Sequence, residues 1–307
     1  MSNYFDNSHI DGKQLTPQQI ADAIRHKKFG VDVREAMAQG LEYCMTQAQK
    51  VDKLEQDLSN LDKRVTALEV LPDEVAEITA IAKGLALNLG NITDARMASM
   101  KISAGAAKDK GIPFVLDLVG LSCSRLRQKY AKELLQIAVP DIIKGNISEL
   151  RTLLGLPTTP GMGVEAGQKE MVTKENALEY ARIFQKQARE YHTLLLATGP
   201  IDLVVSYEEA YIIANGSNAL ASITGTGCMN NVLAGACLAG VHGISSQATN
   251  NTLAAILSCL LLGIAGENIQ DIYLNQGPGS FHYSLMDSIS KLTPQTIAQQ
   301  CHITKLI

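Results

Sequence analysis

Two hydrophobic periodicities divide the chain. Apolar residues fall at Val51, Leu54, Leu58, Leu61, Val65 and Leu68, in alternating steps of three and four, with all but Ala67 between them polar. That is an a/d stripe at the heptad period, the pattern of helices wound around one another. Lys50 with Glu55, and Arg64 with Glu69, are complementary pairs beside the seam, whereas Asp57 and Asp62 repel. The same stripe also suits one amphipathic helix packed on its own domain, and its Val/Leu mixture does not choose between dimer and trimer. Upstream, Thr16, Pro17 and Gly30 carry the start and stop signals of a short helix. The pattern predicts an α-helical coiled-coil assembly segment over 1–70, followed by a separate domain over 71–307.

From Leu71 the period changes. Short continuous apolar runs at 84–90, 112–117, 141–144 and 193–197 read as buried strands, and helical patterns at 93–111, 124–138, 146–153 and 172–191 lie between them. Residues 203–206 and 210–214 flank a Tyr-Glu-Glu turn as a hairpin, and 155–170 is a Gly/Pro-rich loop. Two helices are expected after 223–229, then a loop, NQGPGS, then a last helix from Phe281. Repeated strand–helix units of this kind imply an α/β domain with a mostly parallel sheet covered on both faces. Ligands of such sheets bind beyond the carboxyl ends of the strands.

Composition narrows the partners. The chain has 307 residues, 46% hydrophobic and 19% charged, with a net charge of −4. That charge gives no electrostatic basis for nucleic-acid binding. The longest apolar stretch, LAAILSCLLLGIAG, is interrupted by Ser258 and Gly263 and reads as a buried helix rather than a membrane span. The polar start MSNYFDNSHIDGK is not a secretory signal. The cysteines, Cys44, Cys123, Cys228, Cys237, Cys259 and Cys301, form no CxxC pair and the histidines are scattered. Reduced thiols and a cytoplasmic location are expected, without a His/Cys metal site.

The candidate chemistry sits after predicted strands. Ile223-Thr-Gly-Thr-Gly-Cys-Met229 precedes the small-residue run NNVLAGACLAG. Thr224, Gly225, Thr226 and Gly227 have the composition of a loop whose backbone N–H groups surround an anion at a helix N-terminus. Cys228 would fall in the first turn, where the helix dipole favours a thiolate. FVLD ends in Asp117, DIIK ends in Lys144 with Asn146 and Glu149 just beyond, and TLLLA leads to Thr198. A cation, two carboxylates, hydroxyls and an anion cradle are what phosphoryl transfer from a magnesium nucleotide requires. Each residue also has a plainer reading. Asp117 is a turn former, and Asn146 with Glu149 is a capping box. Lys144 is a surface lysine, Thr198 begins a turn, and Cys228 is a small packed side chain.

The segments ALNLGNI, GIPFVLDLVG, IIKGNISEL, LLLATG, SITGTGCM and NQGPGSFHYSLMDS, taken together, resemble the hydroxyethylthiazole kinase family over residues 71–290. The resemblance implies a ribokinase-like three-layer sandwich and ATP-dependent, Mg²⁺-assisted phosphorylation of the primary alcohol of hydroxyethylthiazole, in thiamine salvage. It implies that Lys144 and Thr198 bind ATP, that Gly225 binds substrate, and that Cys228 stands beside the acceptor hydroxyl. Asp117 and Glu149 match acidic positions of the Mg-phosphate region. It further implies a homotrimer with the thiazole pocket between subunits. Leu118 stands where the family has proline, and Lys144 where it has arginine. The family's Asn-rich first strand–helix unit and its Ser-Pro-x-Met segment have no counterpart here. Residues 1–70 resemble the N-terminal segments of phage tail or baseplate fibre proteins. That combination leaves a second expectation: a fusion that uses the domain as a trimeric structural head, with catalysis impaired.

Overall fold

Alternation along the strands decides the architecture. Phe114, Leu116, Ile143, Leu195, Ala197, Leu203 and Val205 face one core, while Val115, Ile142, Leu194, Leu196 and Val204 face another. A sheet apolar on both faces must be covered on both, so helices flank it on either side. The computed structural model describes residues 72–156 and 171–307, together with Lys50. The predicted heptad stripe and most of the Gly/Pro-rich loop lie outside the described residues. Those described beyond Lys50 belong to one unit, residues 70–307.

In chain order the elements are α1 (Pro72–Ile81), β1 (Leu85–Asn88), α2 (Asp94–Lys110), β2 (Phe114–Asp117), α3 (Arg125–Ile137), β3 (Ile142–Asn146), α4 (Ile147–Leu153), α5 (Ala177–Tyr191) and β4 (Leu194–Thr198). They continue with β5 (Asp202–Val205), β6 (Ala210–Ile213), α6 (Asn218–Ala221), α7 (Thr226–Val241), α8 (Gln247–Asn268), α9 (Gln270–Gln276), α10 (Pro278–Lys291), α11 (Pro294–Gln300) and β7 (Ile303–Lys305).

Among the described residues the strands form one sheet in sequence order, β1 to β7. Strands β1 to β4 pair in parallel, and β4 to β7 pair antiparallel. The sheet is therefore mixed, not mostly parallel. The physical reason is connection length: a parallel pair needs a crossover, and the short links 199–201 and 206–209 permit only antiparallel neighbours. The expected hairpin is β5–β6. The terminal strand β7, paired to Tyr211, Ile212 and Ile213, carries too short an apolar pattern to stand out in the sequence.

Caps fix the helices that lead into the site. Thr93 and Gly111 bound α2, and Ser124 caps α3 through its side chain. Asn146 and Glu149 form the reciprocal capping box of α4. Helix α5 starts later than the sequence pattern suggests, because Thr173 and Asn176 bond each other's backbone N–H groups in a local turn. The sequence NQGPGS is not a loop: α9 runs to Gln276, Gly277 turns the chain at φ 91°, and Pro278 opens α10. Helix α8 is long and apolar enough to cross a membrane, but 72% of its most apolar stretch is buried within the domain, as in the core helix of a soluble protein. It runs unbroken through Ser258 and Gly263.

Helix α7 sits unusually close to the sheet. A Cβ on Gly235 would lie 3.1 Å from Ala86 Cβ, and one on Gly84 would lie 2.8 Å from Gly235 O. The small residues of NNVLAGACLAG thus lower the helix onto β1, and with it the turn that carries Cys228.

Candidate active site

Register assembles the centre of the site. Asn88 is paired with Asp117 across β1 and β2, and Asp117 with Lys144 across β2 and β3. Residues in register point to the same face, so an amide, a carboxylate and an ammonium stand in a row at the carboxyl end. Lys144 Nζ lies 3.0 Å from Asp117 Oδ2, with the two side chains 2% and 1% exposed. Asn88 Nδ2 lies 3.2 Å from the same oxygen. Asp117 Oδ1 is buried without a partner. Burial pushes the Asp117 carboxyl above its usual range, against the attraction of Lys144.

The first turn of α7 covers this row. Gly225 is the N-cap at φ 102°, a conformation that favours glycine, and no side chain caps the helix. Thr226, Gly227 and Cys228 are its first helical residues. A Cβ on Gly227 would lie 3.7 Å from Lys144 Nζ. The helix N-terminus and the ammonium therefore act on the same small space, as an anion site requires. Cys228 Sγ accepts from Asn88 Nδ2 at 3.3 Å.

Not every predicted residue points into the site. The Thr226 hydroxyl turns back and donates to Leu220 O at 3.2 Å. Thr224 is exposed on the loop. Thr198 Oγ1 lies 3.4 Å from Gly145 O at the end of β4, one strand beyond Lys144. Glu149 is buried, and both its oxygens serve the backbone: Oε1 accepts from Gly120 N–H at 2.7 Å and Oε2 from Asn146 N–H at 2.8 Å. Burial pushes Glu149 up to about 7, against these two bonds. Leu118 N–H donates to Lys144 O at 2.8 Å, a bond that proline could not make, so this chain's departure extends the β2–β3 ladder.

Sequence reading missed two contributors. Asn88 sits in a plain strand run, and only register reveals its neighbours. Asp202, at the start of β5, accepts from Gly199 N–H at 3.0 Å. Burial raises it to about 6, against that bond, a hydrogen bond to Cys259 and the charge of Lys144. Among the described residues no three His, Cys, Asp or Glu side chains gather as a metal cluster.

Comparison with known proteins places the chain in a family. The profile of the hydroxyethylthiazole kinase family matches residues 67–295. Hydroxyethylthiazole kinase 2 of Clostridium botulinum (strain 657 / Type Ba4) is 36% identical over 232 residues, covering 76% of this chain and 83% of that protein. Hydroxyethylthiazole kinase 1 of Methanosphaera stadtmanae is 31% identical over 276 residues, covering 87% of this chain and 93% of that protein. Among solved structures, hydroxyethylthiazole kinase protein from Pyrococcus horikoshii OT3 superposes with a TM-score of 0.61 at 27% identity, over 76% of this chain and 81% of that one. The mixed α/β sheet and these relatives agree: the chain belongs to the hydroxyethylthiazole kinase family, and is thereby an enzyme that transfers a phosphoryl group to an alcohol.

Proposed function

We propose that the chain transfers the γ-phosphoryl group of ATP to the primary alcohol of hydroxyethylthiazole, in thiamine salvage, on a ribokinase-like three-layer domain. One observation carries the reading: a buried lysine and an uncapped helix N-terminus converge beside a carboxylate with a free oxygen. Fixed positive charge and N–H donors stabilise the charge that spreads over the transferred phosphoryl oxygens.

Lys144 and the N–H groups of Thr226, Gly227 and Cys228 would hold the phosphates. Thr198, at the end of the neighbouring strand, would bind ATP farther from the transfer point. Gly225 would allow the acceptor to approach, because nothing lies within 4 Å of where its Cβ would be. The alcohol oxygen attacks γ-phosphorus. An O–P bond forms, the bond from γ-phosphorus to the ADP oxygen breaks, and the hydroxyl proton leaves toward Cys228, whose thiolate form can accept it. As a neutral thiol, Cys228 would orient the alcohol.

Magnesium, when bound, would neutralise phosphate charge. Asp117 Oδ1 is a hard, unpartnered carboxylate oxygen and fits it. Glu149 would fit it less well than Asp117, because each of its oxygens already accepts a backbone N–H group.

The assembly is part of the proposal: a cytoplasmic homotrimer, held in part by the heptad segment over 51–68. Sedimentation velocity of the full chain should give a trimer, and a monomer would refute this part. The activity test is ADP release from Mg-ATP with and without hydroxyethylthiazole. Alcohol-dependent release supports the kinase. A folded protein with none supports the structural-head alternative.

A further inference from the structure

Asn88, the last residue of β1, has no role in the mechanism above, yet its side chain joins both halves of the site. Its Oδ1 accepts from Gly90 N–H at 2.7 Å. That bond fixes the amide orientation, since a backbone N–H must face an acceptor. Nδ2 is therefore the donor, 3.2 Å from Asp117 Oδ2 and 3.3 Å from Cys228 Sγ. Asp117 Oδ2 receives Lys144 as well, so the two donors occupy that oxygen and leave Oδ1 as the free one. Cys228 lies 140 residues away in the chain, and the Asn88 amide reaches its sulfur.

We infer that Asn88 is a positioning residue. One amide nitrogen ties the acceptor side, through Cys228, to the phosphate side, through Asp117, and sets the distance between them. The inference rests on the kinase reading for its catalytic meaning, but the tie itself can be tested without turnover. An N–H donor stabilises a sulfur anion more than a neutral thiol, because hydrogen bonds to charged acceptors are the stronger ones. Removing the donor should make Cys228 a poorer nucleophile.

The test uses Asn88→Asp and Asn88→Ala in the full chain. Asn88→Asp keeps an oxygen for Gly90 N–H and puts a second oxygen where the donor stood. Iodoacetamide alkylation of Cys228 is followed by peptide mass spectrometry, with Cys123, also an exposed thiol, as the internal reference. The Cys228/Cys123 rate ratio is expected to fall about tenfold in Asn88→Asp, the size of one lost hydrogen bond to a charged group. In Asn88→Ala, which adds no charge, kcat should fall about tenfold or more with KM for ATP within about twofold, a split that general loosening would not produce. An unchanged alkylation ratio in folded Asn88→Asp overturns the inference, as does an unchanged kcat in Asn88→Ala. Failure of the kinase reading shows separately, as a wild-type protein without turnover but with the same alkylation contrast.

Discussion

The two ends of the parallel strands are built from similar groups and are left in different states. At the amino end lies a cavity of ≈ 590 Å³, lined among others by Lys108, Phe114, Asp141, Leu238, His242 and Asn251. Its charged groups are settled. Asp141 Oδ2 accepts from Phe114 N–H at 2.9 Å and Oδ1 from Gln247 Nε2 at 2.7 Å, while Lys108 Nζ donates to Ile137 O. Asn251 Nδ2, also there, donates to Asp141 O at 3.1 Å. At the carboxyl end, Asp117 keeps a free oxygen in a buried ion pair, Glu149 is raised to about 7, and α7 starts without a side-chain cap. A cavity thus marks the amino end and unsettled charge the carboxyl end. The proposed chemistry lies with the charge, because a group held away from its preferred protonation or pairing is the one a substrate can still engage.

The largest effect is expected where that charge is concentrated. Lys144→Met leaves Asp117 buried without its cation. Breaking a buried pair costs about 3 kcal/mol or more, and turnover should fall at least about a thousandfold with the phosphate contact gone. Urea unfolding and ADP release measure the two losses. The double variant Asp117→Asn/Lys144→Met removes both charges and should recover much of the stability but none of the turnover. Recovery of both would mean that the pair is only structural.

Next comes a change that separates catalysis from folding. Gly227 is helical, and an added methyl would meet Lys144 Nζ at an ordinary 3.7 Å. Gly227→Ala should therefore leave the melting temperature unchanged or raised, since alanine is the better helix former by up to about 1 kcal/mol. The methyl fills the space between Lys144 and the helix N-terminus, so turnover should drop about a hundredfold. An active Gly227→Ala would move the phosphate site elsewhere.

How far the sequence discloses this contrast depends on range. Strands such as FVLD and LLLAT, the helix starts at 93 and 124, the cap Asn146, and the β5–β6 hairpin are legible because period and turn chemistry are local. Asp117, Lys144 and Cys228 are legible as strand-end and helix-start residues, but their mutual contacts are not. Those follow from strand register, which no local pattern states, and register is also what brings in Asn88. Thr226 misleads for the same reason: a hydroxyl in an anion-loop composition is drawn back to Leu220 O by a turn visible only in three dimensions. The antiparallel half of the sheet and the NQGPGS segment were obscured by short links and by a proline that opens a helix where the composition suggests a loop.

A smaller effect concerns pH. The folded Asp202 carboxyl, at about 6, lies above its ordinary 3.8. A raised carboxyl favours folding while protonated, so its contribution is complete below about 3.8 and is lost as pH rises through about 6. Asp202→Asn keeps an oxygen for Gly199 N–H and removes the titration. Relative to wild type, it should gain stability between pH 4 and 7, by on the order of 1 kcal/mol after allowance for partial exposure. Thermal unfolding at both pH values measures it, and a difference independent of pH would assign the strain to another group.

The smallest effect is expected at the amino end. Gln247 is exposed, and its bond to Asp141 faces the cavity mouth. In Gln247→Ala, water replaces the lost donor at Asp141 Oδ1, while Oδ2 keeps its bond to Phe114 N–H. The stability change should stay within about 0.5 kcal/mol, as for a surface substitution away from strained or unpaired groups. Turnover should match wild type, because the altered bond lies at the starts of the strands whose ends carry Asp117 and Lys144. A loss of kcat in a variant with wild-type melting temperature would mean that the two ends are energetically coupled through the sheet. The settled end would then take part in catalysis, and cavity volume would have been the better guide after all.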